Sequence, residues 1–209
     1  MNLGKGIVVL ILFCYPVTKA PPQLSRIQVT VISLHSVSMK EKIIVKEGLE
    51  SYYPGEVIFK ELPLTNGTVQ GMLNEEVIYA KPLLDTLKKH SLPSTWSKTI
   101  LLTDKKLTVS KLPFEYSMKY LVRGFAESVP GNLAIISTYK LKHEQSENAP
   151  YHKLLIKTVR HEMGHLIGLH HCNETGCLMN TGGFNNNVQF LDLDYKIGAK
   201  CQNLLDSIY

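Results

Sequence analysis

The sequence has few cysteines and little net charge. Four of its 209 residues are cysteine, too few for a scaffold built on disulfides, although three of the four lie after residue 170. Lysine and arginine number 23 against 18 aspartate and glutamate, a formal charge of +5. This excess is small and scattered, so the composition does not favour a nucleic-acid partner. Hydrophobic residues at 44% and charged residues at 20% exclude disorder, collagen and coiled coil as descriptions of the whole chain.

Long apolar runs are missing too, except at the N-terminus. Residues 7–17 form an apolar run after Lys5, and residues 18–20 put small side chains at the two positions that a signal peptidase reads. The run is too short for a transmembrane helix, which needs about 20 apolar residues. The pattern predicts a signal peptide over residues 1–20 and export of the protein. The alternative is an uncleaved or misassigned N-terminus on a cytoplasmic protein.

The rest of the chain, residues 21–209, is long enough for a single domain with a sizeable core. Runs of β-branched residues bounded by turn residues predict strands, and amphipathic spacing predicts helices. The predicted strands are Ile27–Leu34, Glu56–Leu62, Lys98–Thr103 and Leu133–Tyr139. The predicted helices are Met39–Tyr52, Glu75–His90 with a kink at Pro82, Tyr151–Leu169 and Leu191–Leu205. Because strands and helices alternate, we expect an α/β fold with a mostly parallel sheet.

The composition changes near Gly168, after which glycine, asparagine and cysteine dominate as far as Asn187. This change predicts a boundary between an N-terminal lobe of about residues 25–168 and a small irregular C-terminal lobe of about residues 169–209. A cleft is expected between the two lobes. No apolar segment after the N-terminal run is long enough to span a membrane.

A histidine motif ends the third predicted helix. His161 and His165 are four residues apart, so they lie about 6 Å apart on one helix face and can bind one Zn²⁺. Glu162 can reach a water on that metal. Gly168 can adopt a positive φ and turn the chain so that His171 reaches the third ligand position, leaving the fourth for water. The spacing HExxHxxGxxH therefore predicts a catalytic zinc site.

This motif resembles the signature of the metzincin clan of zinc peptidases. Cys172, Cys177 and Met179 continue it as C-x4-C-x-M, and the continuation is similar to that of the archaemetzincin family. The resemblance covers most of residues 25–209 and is most specific over 161–179. It implies a twisted, mostly parallel metzincin-like sheet with helices, and an apolar floor formed by Met179 beneath the metal.

The resemblance also implies that the strand Leu133–Tyr139 is the sheet edge along the cleft, where a peptide can add as an antiparallel strand. In some metzincins the methionine beneath the metal is followed two residues later by a tyrosine. Thr181 occupies that position here, so a tyrosine ligand is not expected there.

The chain departs from the archaemetzincin pattern at one place. In the family, a terminal C-x-x-C supplies two of four thiolates to a second, structural zinc, whereas only Cys201 is present here and Gly198 lies near its partner's position. Cys172, Cys177 and Cys201 would then be three ligands of a second zinc that a water or Asp194 completes. A Cys172–Cys177 disulfide with Cys201 free, or three unbound thiols, are the alternatives.

Together these features predict a zinc metallopeptidase that acts on a peptide or protein substrate. Zn²⁺ held by the three motif histidines would activate a water, and Glu162 would be the general base. Two other functions remain open. One is a catalytically silent fold that binds peptides, which has no need of Glu162; the other is a zinc amidohydrolase acting on a non-peptide amide.

Overall fold

A computed structural model describes residues 27–53, 55–61, 67–90, 98–109, 121–147, 149–180 and 196–208. The predicted signal peptide, residues 1–20, lies outside these ranges. The strands are β1 (Ile27–Leu34), β2 (Gly55–Lys60), β3 (Val77–Tyr79), β4 (Lys98–Thr103), β5 (Lys106–Thr108), β6 (Gly124–Ala126) and β7 (Leu133–Ser137). The helices are α1 (Met39–Glu50), α2 (Gly67–Asn74), α3 (Ala80–His90), α4 (Thr138–Glu144), α5 (Tyr151–Leu166) and α6 (Ala199–Ile208).

The main sheet has five strands in the order β2-β1-β4-β7-β6. The first four are mutually parallel, and β6 pairs antiparallel with β7. A second, two-stranded parallel sheet joins β3 to β5. The predicted α/β fold with a mostly parallel sheet is therefore confirmed.

The expectation that the strand starting at Leu133 forms the sheet edge is wrong. β7 is paired on both sides, and the short strand β6 is the outermost strand beside it in the described part of the chain. All five residues of β7 are buried, which is typical of a strand inside a sheet that is covered on both faces.

Helices cover both faces of the main sheet. Val31, Ile100 and Ile136 point to the face where α1 and α5 pack, and this core also contains the residues that follow α5. Alternate strand residues, such as Leu101 and Ile135, point to the opposite face and pack with α2 and α3. Since both faces are covered, β4 and β7 contain unbroken apolar runs, at residues 100–102 and 133–136. Among the described helices none is both long and apolar enough to cross a membrane.

Two predicted helices begin later than expected. The helix predicted from Glu75 begins at Ala80, because Val77–Tyr79 pairs with β5 as a strand. Pro82 is therefore the third residue of α3, where a backbone N–H has no partner inside the helix, and the expected kink has no cause there. The terminal helix begins at Ala199, whereas residues 191–195 of its predicted span lie outside the described residues.

Glu41 joins α1 to the two helices that follow β7. Its carboxylate accepts hydrogen bonds from the Ser38 N–H at 2.7 Å, which completes a capping box at the start of α1, and from the Tyr151 hydroxyl at 2.5 Å. Lys142 Nζ lies 2.8 Å from the same carboxylate. Burial raises the pKa of Glu41, but the hydrogen bonds from Lys142, Tyr151 and Ser38 outweigh burial and lower it to about 2.

We expect Glu41→Gln to lower the free energy of unfolding by about 2 kcal/mol at pH 7, since it removes a buried charged acceptor. The folded-state pKa lies below the ordinary value of 4.5, so this stabilisation is present above pH 4.5 and is lost as the pH falls toward 2. In urea unfolding, the difference in unfolding free energy between the natural chain and Glu41→Gln should therefore be smaller at pH 3 than at pH 7. Glu47→Gln, on the exposed side of α1, is the matched control; an equal Glu41→Gln deficit at both pH values would contradict the prediction.

Candidate active site

The active-site candidates lie on the last turns of α5, which packs its apolar side against the sheet and α1. His161, Glu162 and His165 are on this helix and are all buried. The helix side chains that anchor it in the core are Leu154, Leu155, Val159, Met163 and Leu166. Because these residues hold α5 firmly, the two histidines one turn apart have fixed positions.

α5 ends at Leu166, three residues before its predicted end, in a glycine turn. Gly168 has φ of 108°, a conformation that residues with a side chain rarely adopt. Its N–H donates to the His165 carbonyl at 3.1 Å, and the Leu169 N–H donates to the Gly164 carbonyl at 2.8 Å. These two bonds form a Schellman motif. The turn reverses the chain, so that His171 returns to the end of the helix.

The structure brings the three motif histidines into one cluster. The Nε2 atoms of His165 and His171 are 3.0 Å apart, those of His161 and His165 are 3.1 Å apart, and those of His161 and His171 are 3.2 Å apart. Nδ1 of His161 is 2.9 Å from the Leu178 carbonyl, and Nδ1 of His165 is 2.8 Å from the Leu169 carbonyl. A carbonyl only accepts, so each Nδ1 carries the proton and each Nε2 directs a lone pair into the cluster.

All three histidines favour the neutral form that binds metals. Burial first, and then the charge of His165, lowers the pKa of His161 to about 3. Burial also lowers the pKa of His165 to about 4 and lowers that of the more exposed His171. Zn–N distances of about 2.0–2.1 Å place the nitrogens of a tetrahedral ion about 3.3 Å apart. The observed separations and the three neutral donors therefore fit one zinc ion.

Glu162 lies next to this cluster with one oxygen unsatisfied. Its Oε2 is buried and has no hydrogen-bond partner among the described residues. Burial raises the pKa of Glu162 to about 8 in the metal-free chain, and the positive charge of a zinc ion in the histidine cluster would lower it again, which favours the carboxylate form. A Cβ on Gly124 of β6 would lie 2.5 Å from Glu162 Oε1, so only glycine allows the carboxylate to pack against this strand. The sequence alone does not indicate this role of Gly124, because one glycine in a short strand is a weak signal.

Met179 lies beneath the histidine helix and is fully buried. A Cβ on Gly164 would lie 2.6 Å from the Met179 sulfur, so this glycine makes room for the methionine under α5. The carbonyl of Met179 accepts a hydrogen bond from the Cys172 N–H at 3.1 Å. The turn that carries Met179 is thereby tied to the segment that carries His171.

The three cysteines after His171 also form a cluster. The sulfurs of Cys172, Cys177 and Cys201 lie within 4.8 Å of one another, and all three are free thiols. The sulfurs of Cys177 and Cys201 are 3.7 Å apart. The backbone N–H of Gly198 lies 3.1 Å from Cys177 Sγ. This arrangement offers three sulfur ligands to a second metal ion.

Glu174 occupies the space that a side chain at position 198 would need. A Cβ on Gly198 would lie 2.5 Å from the carboxylate of Glu174. That carboxylate accepts hydrogen bonds from the N–H groups of Ala199 at 2.9 Å and Lys200 at 3.2 Å, so it caps the start of α6. Asp194, the side chain considered as a fourth ligand, lies outside the described residues.

A cleft of about 480 Å³ opens beside the histidine cluster. All three residues of β6 line it, and Arg123, Lys140 and Lys157 line it together with the histidines and Glu162. Its size is that of a site for a small ligand or a few substrate side chains.

The fold is shared with two solved archaemetzincin structures. That of Methanopyrus kandleri superimposes with a TM-score of 0.65 at 22% identity, covering 90% of this chain and 97% of that one. The structure from Archaeoglobus fulgidus, complexed with malonate, has a TM-score of 0.59 at 21% identity and covers 84% and 98%. A model of peptidase family M54 matches residues 29–208. The chain belongs to peptidase family M54, and the resemblance to archaemetzincins stated above is confirmed.

Relatives in sequence are likewise archaemetzincins. The protein of Saccharolobus solfataricus is 41% identical over 81 residues, which are 37% of this chain and 42% of the relative. The protein of Haloarcula marismortui is 26% identical over 183 residues, covering 83% of this chain and 96% of the relative. The chain thus spans less than half the length of the first of these two relatives and nearly all of the second.

Proposed function

We propose that the protein is a zinc metallopeptidase that hydrolyses peptide bonds in peptide or protein substrates. The observation that carries this proposal is the convergence of three Nε2 atoms within 3.2 Å of one another beside the unpartnered Oε2 of Glu162. Membership of peptidase family M54 supports it.

His161, His165 and His171 would hold the zinc ion. When bound, zinc supplies Lewis acidity, which lowers the pKa of water toward 7 and polarises a carbonyl. Glu162 accepts the proton of the attacking water and then delivers it to the departing amine, as a general base and acid. Because its Oε2 has no hydrogen bond within the described part of the chain, no group there competes with that water.

Strand β6 would orient the substrate. Among the described strands it is the outermost one on this side of the sheet, and its residues line the cleft. An extended peptide can pair with such an edge through main-chain hydrogen bonds, which places one carbonyl at the histidine cluster. An extended edge of this kind favours a peptide over a compact non-peptide amide.

The test uses the zinc-loaded chain and a library of unstructured peptides, with the products read by mass spectrometry. Cleavage that a chelator abolishes and added zinc restores supports the proposal. A chain that holds zinc in the histidine cluster and cleaves no peptide would instead be a silent peptide-binding fold.

We further propose that the three-cysteine cluster holds a second zinc with a structural role. The Cys201→Ser variant should then contain one zinc ion per chain where the natural chain contains two, measured by elemental analysis. Peptidase activity per histidine-bound zinc should persist, because the cysteines lie outside the histidine cluster. One zinc in both chains, with a Cys172–Cys177 disulfide in a peptide map, would reject the second site.

A further inference from the structure

Three basic side chains line the cleft beside the histidine cluster. Arg123 directly precedes β6, Lys140 comes from α4 and Lys157 comes from α5. The side chains of Arg123 and Lys140 are 11% and 16% exposed, and Lys157 is buried. We call these three residues the basic pocket. Nothing in the proposed hydrolysis uses them.

One carboxylate, Glu144, faces these cations among the described residues that line the cleft, apart from Glu162. Arg123 Nε donates to Glu144 Oε2 at 2.5 Å. Lys140 Nζ lies 3.7 Å from the other oxygen of Glu144 and donates to the carbonyl of Leu121. Two of the three cations therefore contact the same carboxylate in a partly desolvated space.

The electrostatics of the basic pocket favour an incoming anion. Burial first, and then the charge of Arg123, lowers the pKa of Lys157 to about 8. Burial also lowers the pKa of Lys140, and there Arg123 adds to the effect while Glu144 opposes it. A carboxylate that enters the pocket would offset this repulsion and form charge-assisted hydrogen bonds.

The direction of β6 shows which substrate residue meets the basic pocket. The strand runs from Gly124, which packs against Glu162, to Ala126, and Arg123 lies before it. A peptide that pairs antiparallel with β6 runs the opposite way, so the residues after its scissile bond extend toward Arg123. Lys157 agrees with this placement, because it lies close enough to Arg123 for the charge of Arg123 to lower its pKa.

We propose that the basic pocket selects substrates with a carboxylate on the residue that follows the scissile bond. The carboxylate is either the side chain of Asp or Glu, or the α-carboxylate of a residue that ends the peptide. This inference rests on the proposed peptidase activity and names its substrate class.

The experiment compares matched peptides with the zinc-loaded full chain. In amidated peptides that differ only after the scissile bond, kcat/KM with Glu should exceed that with Gln by about tenfold or more, the range for hydrogen bonds to a charged group. A second pair of peptides ends at the Gln residue itself, one with a free C-terminal carboxylate and one with an amide. A higher kcat/KM for the free carboxylate in this pair would show that the pocket binds a terminal carboxylate, whereas a higher value for Glu in the first pair would show that it binds a side-chain carboxylate. A preference in either arm supports the proposal.

The Lys157→Met variant keeps the apolar stem of the side chain and removes its charge. It should lower the Glu-to-Gln ratio by about tenfold while leaving the Gln peptide nearly unchanged. Lys153→Met, at an exposed position on the same helix, is the matched control and should leave the ratio unaltered. If Lys157→Met does not fold, Lys140→Met provides the same comparison.

Binding separates this inference from the peptidase proposal. In the Glu162→Gln variant, calorimetry should show tighter binding of the Glu peptide than of the Gln peptide without turnover. If no peptide is cleaved by the natural chain, the peptidase proposal fails, and this binding difference still tests the basic pocket. Equal kcat/KM values for all matched pairs would overturn the inference. So would a preference for the acidic peptide that persists in both lysine variants, or a preference for an acidic residue only before the scissile bond.

Discussion

The Glu162→Gln variant is expected to keep its zinc and to lose about 10²–10⁴-fold in kcat, the usual contribution of a general base. Glutamine has the shape of glutamate but cannot accept a proton at neutral pH. Glu162 is not one of the three nitrogen donors that converge, so the affinity for the metal should change little. No loss of stability is expected either, since the substitution removes an ionisable group from a buried position.

Elemental analysis and steady-state kinetics on one cleaved peptide would measure this result. Glu56→Gln, at an exposed position of β2, is the control for a glutamate remote from the cleft. Full activity in Glu162→Gln would mean that another group takes the proton. Loss of zinc would mean that Glu162 maintains the geometry of the histidine cluster.

Gly124→Ala should lower kcat by about a hundredfold, although residue 124 is neither a proposed ligand nor a base. The new Cβ would lie 2.5 Å from Glu162 Oε1 and 2.7 Å from its Cγ, so the carboxylate must move or β6 must shift. A displacement of about 1 Å in a reacting group costs on the order of 10²-fold in rate. Zinc content should stay near that of the natural chain, because the collision involves Glu162 and not the histidines.

The matched control is Gly71→Ala in α2, where an added Cβ meets nothing within 4 Å. The decisive measurement is the double variant Gly124→Ala with Glu162→Gln. If the alanine acts only by displacing Glu162, the double variant should be no slower than Glu162→Gln alone, since the two losses share one cause. Fully additive losses would show that β6 acts on the reaction by a separate route.

Local patterns predicted the histidine cluster well. Residues four apart on a helix lie on one face, and Gly168 permits a reversal that few other residues allow, so chain spacing alone brought His161, His165 and His171 near one another. Strands β1 and β4 were also predicted with their observed bounds, because continuous β-branched sequence is typical of a buried parallel strand.

Predictions that depended on remote partners were less accurate. Val77–Tyr79 resembles the start of a helix in sequence but becomes a strand, because Lys106–Thr108 lies alongside to pair with it. The resemblance to metzincins implies the strand that begins at Leu133 as the sheet edge, and a strand of three residues such as β6 carries almost no periodicity that could correct this expectation. The sequence does not indicate the roles of Gly124 and Glu174, because each role depends on a contact with a distant part of the chain.

The sequence by itself determined the metal-binding chemistry: three histidines, one glutamate and one turning glycine within eleven residues, all related by the geometry of a single helix and its end. The tertiary structure decided which strand borders the cleft, which glycine admits Glu162, and that three cations from separate elements share one pocket. The physical reason is the separation along the chain over which each effect acts. Helical spacing and backbone conformation act within a few residues, whereas strand order and a pocket wall arise only when remote segments pack together.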